Sequence, residues 1–99
     1  MYAKSIWGTN LICKKLKIIN KLGVHARAAM KLSELASRFQ SKIIIRYKNN
    51  ACDAKSIMDV MVMAASCGAE IELQITGEDE IPAMLALEKL IQERFGESE

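Results

Sequence analysis

The chain is predicted to be an α+β domain, a four-stranded antiparallel sheet with three helices on one face, in the order β-α-β-β-α-β-α. Three observations predict it. Residues 69–76 alternate, with Ile71, Leu73 and Ile75 on one side and Glu70, Glu72, Gln74 and Thr76 on the other. That is the pattern of a strand buried on one face only. Residues 26–39 place Ala29, Leu32, Ala36 and Phe39 three or four apart, the apolar stripe of an amphipathic helix. The chain has 99 residues, about half of them apolar, which suits one domain. Strands with a single apolar face need cover on that face alone, so the helices are expected in one layer.

The elements follow in order. Leu16-Lys17-Ile18 alternates as a half-buried strand, and Asn20-Lys21-Leu22-Gly23 reads as the turn after it. The helix over 26–39 carries Arg27, Lys31, Glu34 and Arg38 on its polar side. Residues 42–47 are β-branched and apolar, with Ile43, Ile45 and Tyr47 on one face. Asn49-Asn50 predicts a hairpin turn, because Asn tolerates positive φ, and 51–55 predicts a short return strand. Ser56, with Asp59 three residues later, has capping-box spacing for a helix from Ile57 to Ser66. Gly68 is the expected C-cap of that helix. The strand at 69–76 ends in the turn Gly77-Glu78-Asp79, with Asp79 as the N-cap of the last helix. Pro82 falls in its first turn, where proline is tolerated. Ile81, Met84, Leu85, Leu87 and Ile91 are its expected apolar side, and Gly96 its stop.

Composition excludes several function classes. A formal net charge of +2 is too small for a nucleic-acid footprint. The five aromatic residues do not interleave with basic ones as a single-strand binder requires. No apolar stretch is long enough to insert in a membrane. The run Met1–Cys13 lacks the apolar core and cleavage site of a signal peptide, so a cytoplasmic location is expected. Cys13, Cys52 and Cys67 are odd in number and widely spaced, which predicts reduced thiols rather than a metal or redox site. No metal and no cofactor are expected.

His25 is the only histidine, and it stands between the Gly23 turn and the helix that begins at Ala26. That places an imidazole where unpaired helix N–H groups, the positive end of the helix dipole and Arg27 converge. Such a site can take a phosphoryl group on a ring nitrogen, with Arg27 supplying charge-assisted hydrogen bonds to its oxygens. Taken alone, these two residues favour the plainer reading of a surface, capping or core histidine.

The run Asn-Lys-Leu-Gly-Val-His-Ala-Arg-Ala-Ala over 20–29 resembles the active segment of the histidine-containing phosphocarrier family, HPr, of the bacterial phosphoenolpyruvate-dependent phosphotransferase system. Ala54-Lys55-Ser56-Ile57-Met58 resembles that family's regulatory serine segment, at the family's usual distance from the histidine. The resemblance spans Lys15 to Gly96, leaving 1–14 as an N-terminal extension and 97–99 as a C-terminal tail. It implies an HPr-like open-faced β-sandwich and a carrier without independent turnover. His25 would be phosphorylated on Nδ1 by enzyme I and would pass the group to enzyme II A components. Arg27 would stabilise the phosphate, with the backbone of Ala26 and Arg27 at the helix start. Ser56 would be the target of HPr kinase/phosphorylase. Where many family members have proline after the arginine, this chain has Ala28, which removes a recognition cue but no reacting group.

The run from Ile57 to Ala65 is too apolar to be wholly buried in a two-layer domain, which predicts a docking patch. Ile57, Met58 and Met61 are its expected members, with Arg27 and Lys31 adding positive charge. Val60 and Met63 are expected in the core. A monomer is expected, with no nucleic-acid partner. The alternative function is a regulatory phosphoprotein of a nitrogen-type or incomplete phosphotransferase system, although Ser56-Ile57-Met58 looks more like the sugar branch.

Overall fold

Strict alternation sends β4 (Glu70–Thr76) to the inside of the sheet, between β1 (Ile12–Lys17) and β2 (Lys42–Tyr47). The short β3 (Asn50–Asp53) pairs with β2 and forms the far edge, so the order is β1-β4-β2-β3 with every pair antiparallel. The computed structural model describes residues 11–99. The helices are α1 (Ala26–Ala36), α2 (Ile57–Met63) and α3 (Glu80–Gln92), and a 3-10 turn, Arg94–Gly96, follows the last.

One sheet face supplies Ile12, Leu16, Ile43, Ile45, Ile71, Leu73 and Ile75 to the core, and all are buried. Ala28, Ala29, Leu32 and Ala36 of α1, Val60 of α2, and Ala83, Met84, Leu87 and Ile91 of α3 close over them. On the opposite face Lys17 stands across from Glu70, while Lys15 and Arg46 flank Glu72. Such opposite-charge neighbours favour this register by about 0.2–1 kcal/mol per pair. Lys14, at the sheet edge, pairs with Glu88 of α3.

Several expected boundaries shift, each for a local reason. β1 starts at Ile12, so residues 12–14, assigned to the extension, pair with β4; residues 1–10 of that extension lie outside the described residues. α1 ends at Ala36 rather than Phe39, because Arg38 and Phe39 turn to i−3 carbonyls, Leu35 and Ala36. Phe39 still packs on the core. The hairpin turn is Lys48-Asn49, and Lys48 rather than an asparagine takes the positive φ.

α2 ends at Met63, not Ser66, and its cap is Ala64 in the left-handed region rather than Gly68. The early exit lets Ala65 bury its side chain and accept the Val24 N–H at 2.8 Å. Asp79 stands at the N-cap of α3 but makes no side-chain cap bond. Its carboxylate instead accepts the N–H groups of Gln40 and Ser41, at 2.8 and 2.9 Å, and the Ser41 hydroxyl. Glu80 reaches back to the Gly77 N–H in its place. Ile81 and Leu85, expected on the buried side of α3, are exposed, because Ala83, Met84, Leu87 and Ile91 already fill that side. α3 stops at Gln92, before Gly96.

Candidate functional site

The loop from β1 to α1 is tied down at both ends. Ile18 exchanges backbone hydrogen bonds with the segment before β4, donating to Ala69 at 2.8 Å and accepting from Gly68 at 2.7 Å. Gly23 then turns the chain with φ +69°. A Cβ there would lie 2.7 Å from the Ala65 carbonyl oxygen, so both the dihedral and the close approach to the α2 exit require glycine. Val24 is buried and pins the loop to Ala65.

These restraints place His25 at the N-cap of α1 in extended conformation, φ −80° and ψ −177°. Its carbonyl accepts the first helical bond from Ala29 at 2.8 Å. The N–H groups of Ala26, Arg27 and Ala28 therefore precede any intrahelical acceptor. The ring does not cap them; its side chain is 29 % exposed and turned toward the chain end.

The ring's partner is Glu97, whose Oε2 binds His25 Nε2. The other carboxylate oxygen accepts from Asn20 Nδ2 at 3.0 Å, and the same amide donates to the Gly23 carbonyl at 2.7 Å. Asn20 is fully buried, and its Oδ1 has no partner among the described residues. Leaving that oxygen bare costs about 1–3 kcal/mol, so the amide is oriented by its two donor bonds. The hydrogen bonds from Asn20 and His25, with the Lys31 charge nearby, hold the Glu97 carboxyl below its ordinary value.

Glu97 belongs to the segment set aside as a tail, and sequence reading missed it. It lies 72 positions from His25, and no spacing rule joins the two. Phe95 is the signal that could have found it. A large apolar residue just past a helix end predicts an anchor, and Phe95 is 1 % exposed in the core. Lys31, expected as docking charge, donates its ammonium to the Phe95 carbonyl at 2.7 Å.

A cavity of about 600 Å³ opens beside the ring, lined by Lys21, Leu22, His25, Ala26, Arg27 and the chain end from Glu97 to Glu99. Arg27 and Ala26 are exposed at its wall. A second hollow joins His25 to Met61, Ala64 and Ala65 of the α2 end. Met58 is 68 % exposed, Ile57 and Met61 each 40 %, whereas Val60 is buried and Met63 packs on the core. Leu22 and Val62, not singled out from sequence, are more exposed than any of these. Ser56 stands at the start of α2, where its hydroxyl accepts the Asp59 N–H at 3.2 Å, and it lines neither hollow beside the ring. The three cysteines are unpaired thiols; burial, with Asp59 and Asp53 nearby, pushes the Cys52 thiol up to about 11. No described helix is long and apolar enough to cross a membrane.

Comparison with known proteins finds relatives over most of the chain and solved structures of the same fold. The family profile described as the PTS HPr component phosphorylation site matches residues 12–93. The phosphocarrier protein HPr of Treponema pallidum is 46 % identical over 87 residues, 88 % of this chain and 99 % of that protein. That of Cupriavidus necator is 51 % identical over 82 residues, 83 % of this chain and 92 % of that protein. A crystal structure of HPr-C-His from Thermoanaerobacter tengcongensis superposes with a TM-score of 0.85 at 39 % identity. That match covers 88 % of this chain and 98 % of the other.

Proposed function

The chain belongs to the HPr family of phosphocarrier proteins of the phosphotransferase system, and from that premise we propose that His25 accepts a phosphoryl group from phosphorylated enzyme I and passes it to enzyme II A components in a cytoplasmic relay. The observation that carries this reading is an accessible imidazole at the N-terminus of α1, beside an open cavity and Arg27. The N–H groups of Ala26 and Arg27 and the helix dipole favour an anion there by about 0.3–1 kcal/mol. Arg27 adds charge-assisted hydrogen bonds to the phosphoryl oxygens. Nδ1 is the atom modified.

Docking uses the exposed side of α2, Ile57, Met58 and Met61, with Met61 lining the hollow that reaches His25 and Arg27 at the wall of the neighbouring cavity. Methionine side chains suit a surface that must fit both a donor and several acceptors. Ser56, the position matching the family's regulatory serine, is the site at which HPr kinase/phosphorylase adds a second, acid-stable phosphate. Its charge of about −1.5 to −2 would alter that same surface.

Incubation with enzyme I, phosphoenolpyruvate and magnesium tests the carrier. Wild-type protein gains acid-labile phosphate and His25→Ala gains none; equal labelling of the two would sink the reading. A panel of enzyme II A proteins then identifies the acceptors. With ATP and HPr kinase, wild type gains acid-stable phosphate and Ser56→Ala does not.

A further inference from the structure

Two sulfurs 11 positions apart in the chain meet at the edge of the sheet. Cys52 stands opposite Ile45 in the β2–β3 pairing, so its side chain shares the helix-facing side of the sheet with that buried isoleucine. Met63 is the last residue of α2, directly before the left-handed turn at Ala64. Its Sδ lies 3.9 Å from the Cys52 Sγ. Both side chains are half-buried and pack on the core, so the fold holds their spacing.

A cavity of about 290 Å³ opens beside the pair, between β3 and α2, and Cys52 and Met63 both line it. Ile45 and Val62 give it apolar walls, and Asp59 brings a carboxylate. The donor set decides what fits there. A thiolate and a thioether are soft ligands, which select Cu(I) over magnesium, calcium or manganese. Metal–sulfur bonds of about 2.3 Å, spanning the 3.9 Å between the sulfurs, would meet at about 115°, close to a trigonal angle. Two corners of a trigonal site are thus in place, and the third opens to the cavity. Among the described residues no three His, Cys, Asp or Glu side chains converge as a metal site, so zinc, which takes four such ligands, has no cluster here.

We propose that Cys52 and Met63 bind a single soft monovalent cation, Cu(I), in the cleft between α2 and β3. Binding exchanges the thiol proton for the metal. The S–H bond breaks, the proton leaves to solvent, and its electron pair forms the S–Cu bond, while Met63 donates a thioether lone pair. No atom changes oxidation state. Asp59, at the cavity wall, favours the entry of a cation. The bound metal would fasten the last turn of α2, a helix of 7 residues, to the edge strand. Helices this short take their stability from tertiary contacts, so local opening of α2 would slow. The other thiols are placed differently. Cys67 meets the Ile19 carbonyl, a hard oxygen, at 3.8 Å, and Cys13 stands across from Gln74 on β4.

Anaerobic titration with Cu(I) buffered by a chromogenic chelator tests the site on the whole chain. The double variant Cys13→Ser/Cys67→Ser should still hold one Cu(I), and adding Cys52→Ser should abolish that binding. Adding Met63→Leu instead, which conserves side-chain volume, should weaken it by at least the roughly 10–100-fold that loss of a residue merely supporting a metal ligand costs. In methyl NMR the Met63 signal should shift as the metal binds, while those of Met58 and Met61 stay in place. Failure of the double variant to retain Cu(I), or equal affinity with Met63→Leu added, would overturn the proposal. So would binding that survives Cys52→Ser and moves the Met58 or Met61 methyl instead, since the metal would then sit on the exposed methionines.

Discussion

The Lys31 ammonium donates to the carbonyl of Phe95 at 2.7 Å, so α1 holds the chain end that carries Glu97. Phe95 and Arg94 both adopt left-handed backbone, at φ 55° and 58°, a conformation that costs about 1–2 kcal/mol per residue. Burial of the phenylalanine ring offsets that cost. Phe95→Ala should therefore lose about 3–5 kcal/mol of stability, measured by urea denaturation, and should free Glu97 from the ring. Arg94→Gly relieves strain without emptying the core, and its midpoint should stay level or rise. A loss below 1 kcal/mol for Phe95→Ala would show that the ring is not an anchor.

Gly23→Ala probes the other restraint on His25. The new methyl would meet the Ala65 carbonyl oxygen at 2.7 Å and the Ser66 Cα at 2.8 Å, both backbone atoms that cannot swing aside. It would also sit at φ +69°. The expected cost is about 1–3 kcal/mol from the dihedral alone, with further loss from the clash. Phosphorylation by enzyme I should slow as His25 shifts from the helix start. Unchanged stability and rate would mean that the loop has slack.

How much of this was legible in sequence depended on the range over which each signal acts. The alternation of Ile71, Leu73 and Ile75 and the stripe of Ala29, Leu32 and Ala36 are local, and both elements form as predicted. His25 at the start of α1 and Ser56 at the cap of α2 are likewise read from immediate neighbours. The errors arise where distant contacts decide. Ala64 ends α2 because Val24 must meet Ala65, and Asp79 leaves its own helix to bind Gln40 and Ser41. Ile81 and Leu85 looked buried because composition does not say which side of α3 meets the sheet. Glu97 was missed for the same reason: its partner His25 is 72 positions away, and only the apolar Phe95 beside it hinted at an anchored chain end.

Adjacent residues of α2 should separate docking from folding. Val60 is fully buried, and Val60→Ala should cost about 2 kcal/mol while leaving enzyme I affinity nearly intact in the folded fraction. Met61 is 40 % exposed beside the His25 hollow, and Met61→Glu should leave the unfolding midpoint within about 0.5 kcal/mol of wild type. It should weaken enzyme I binding about tenfold, by placing a charge in an apolar contact. Calorimetric titration of both variants checks this, and equal affinities for Met61→Glu and wild type would remove Met61 from the interface.

Acid should unfold the domain partly through Asp79. The Ser41 hydroxyl, then the backbone N–H of Gln40, hold its carboxyl below the ordinary 3.8. A depressed value in the folded state means that folding favours the ionised form. The stabilisation is complete above about 3.8, where the unfolded chain is also ionised, and it is lost as pH falls through the lower folded value. Asp79→Asn should therefore be less stable than wild type near neutral pH, and the gap should close in strongly acidic buffer. Urea midpoints taken every half unit from pH 7 to about pH 2.5 measure it. A gap that stays constant across that range would mean that the clamp on Gln40 and Ser41 owes nothing to the charge of Asp79.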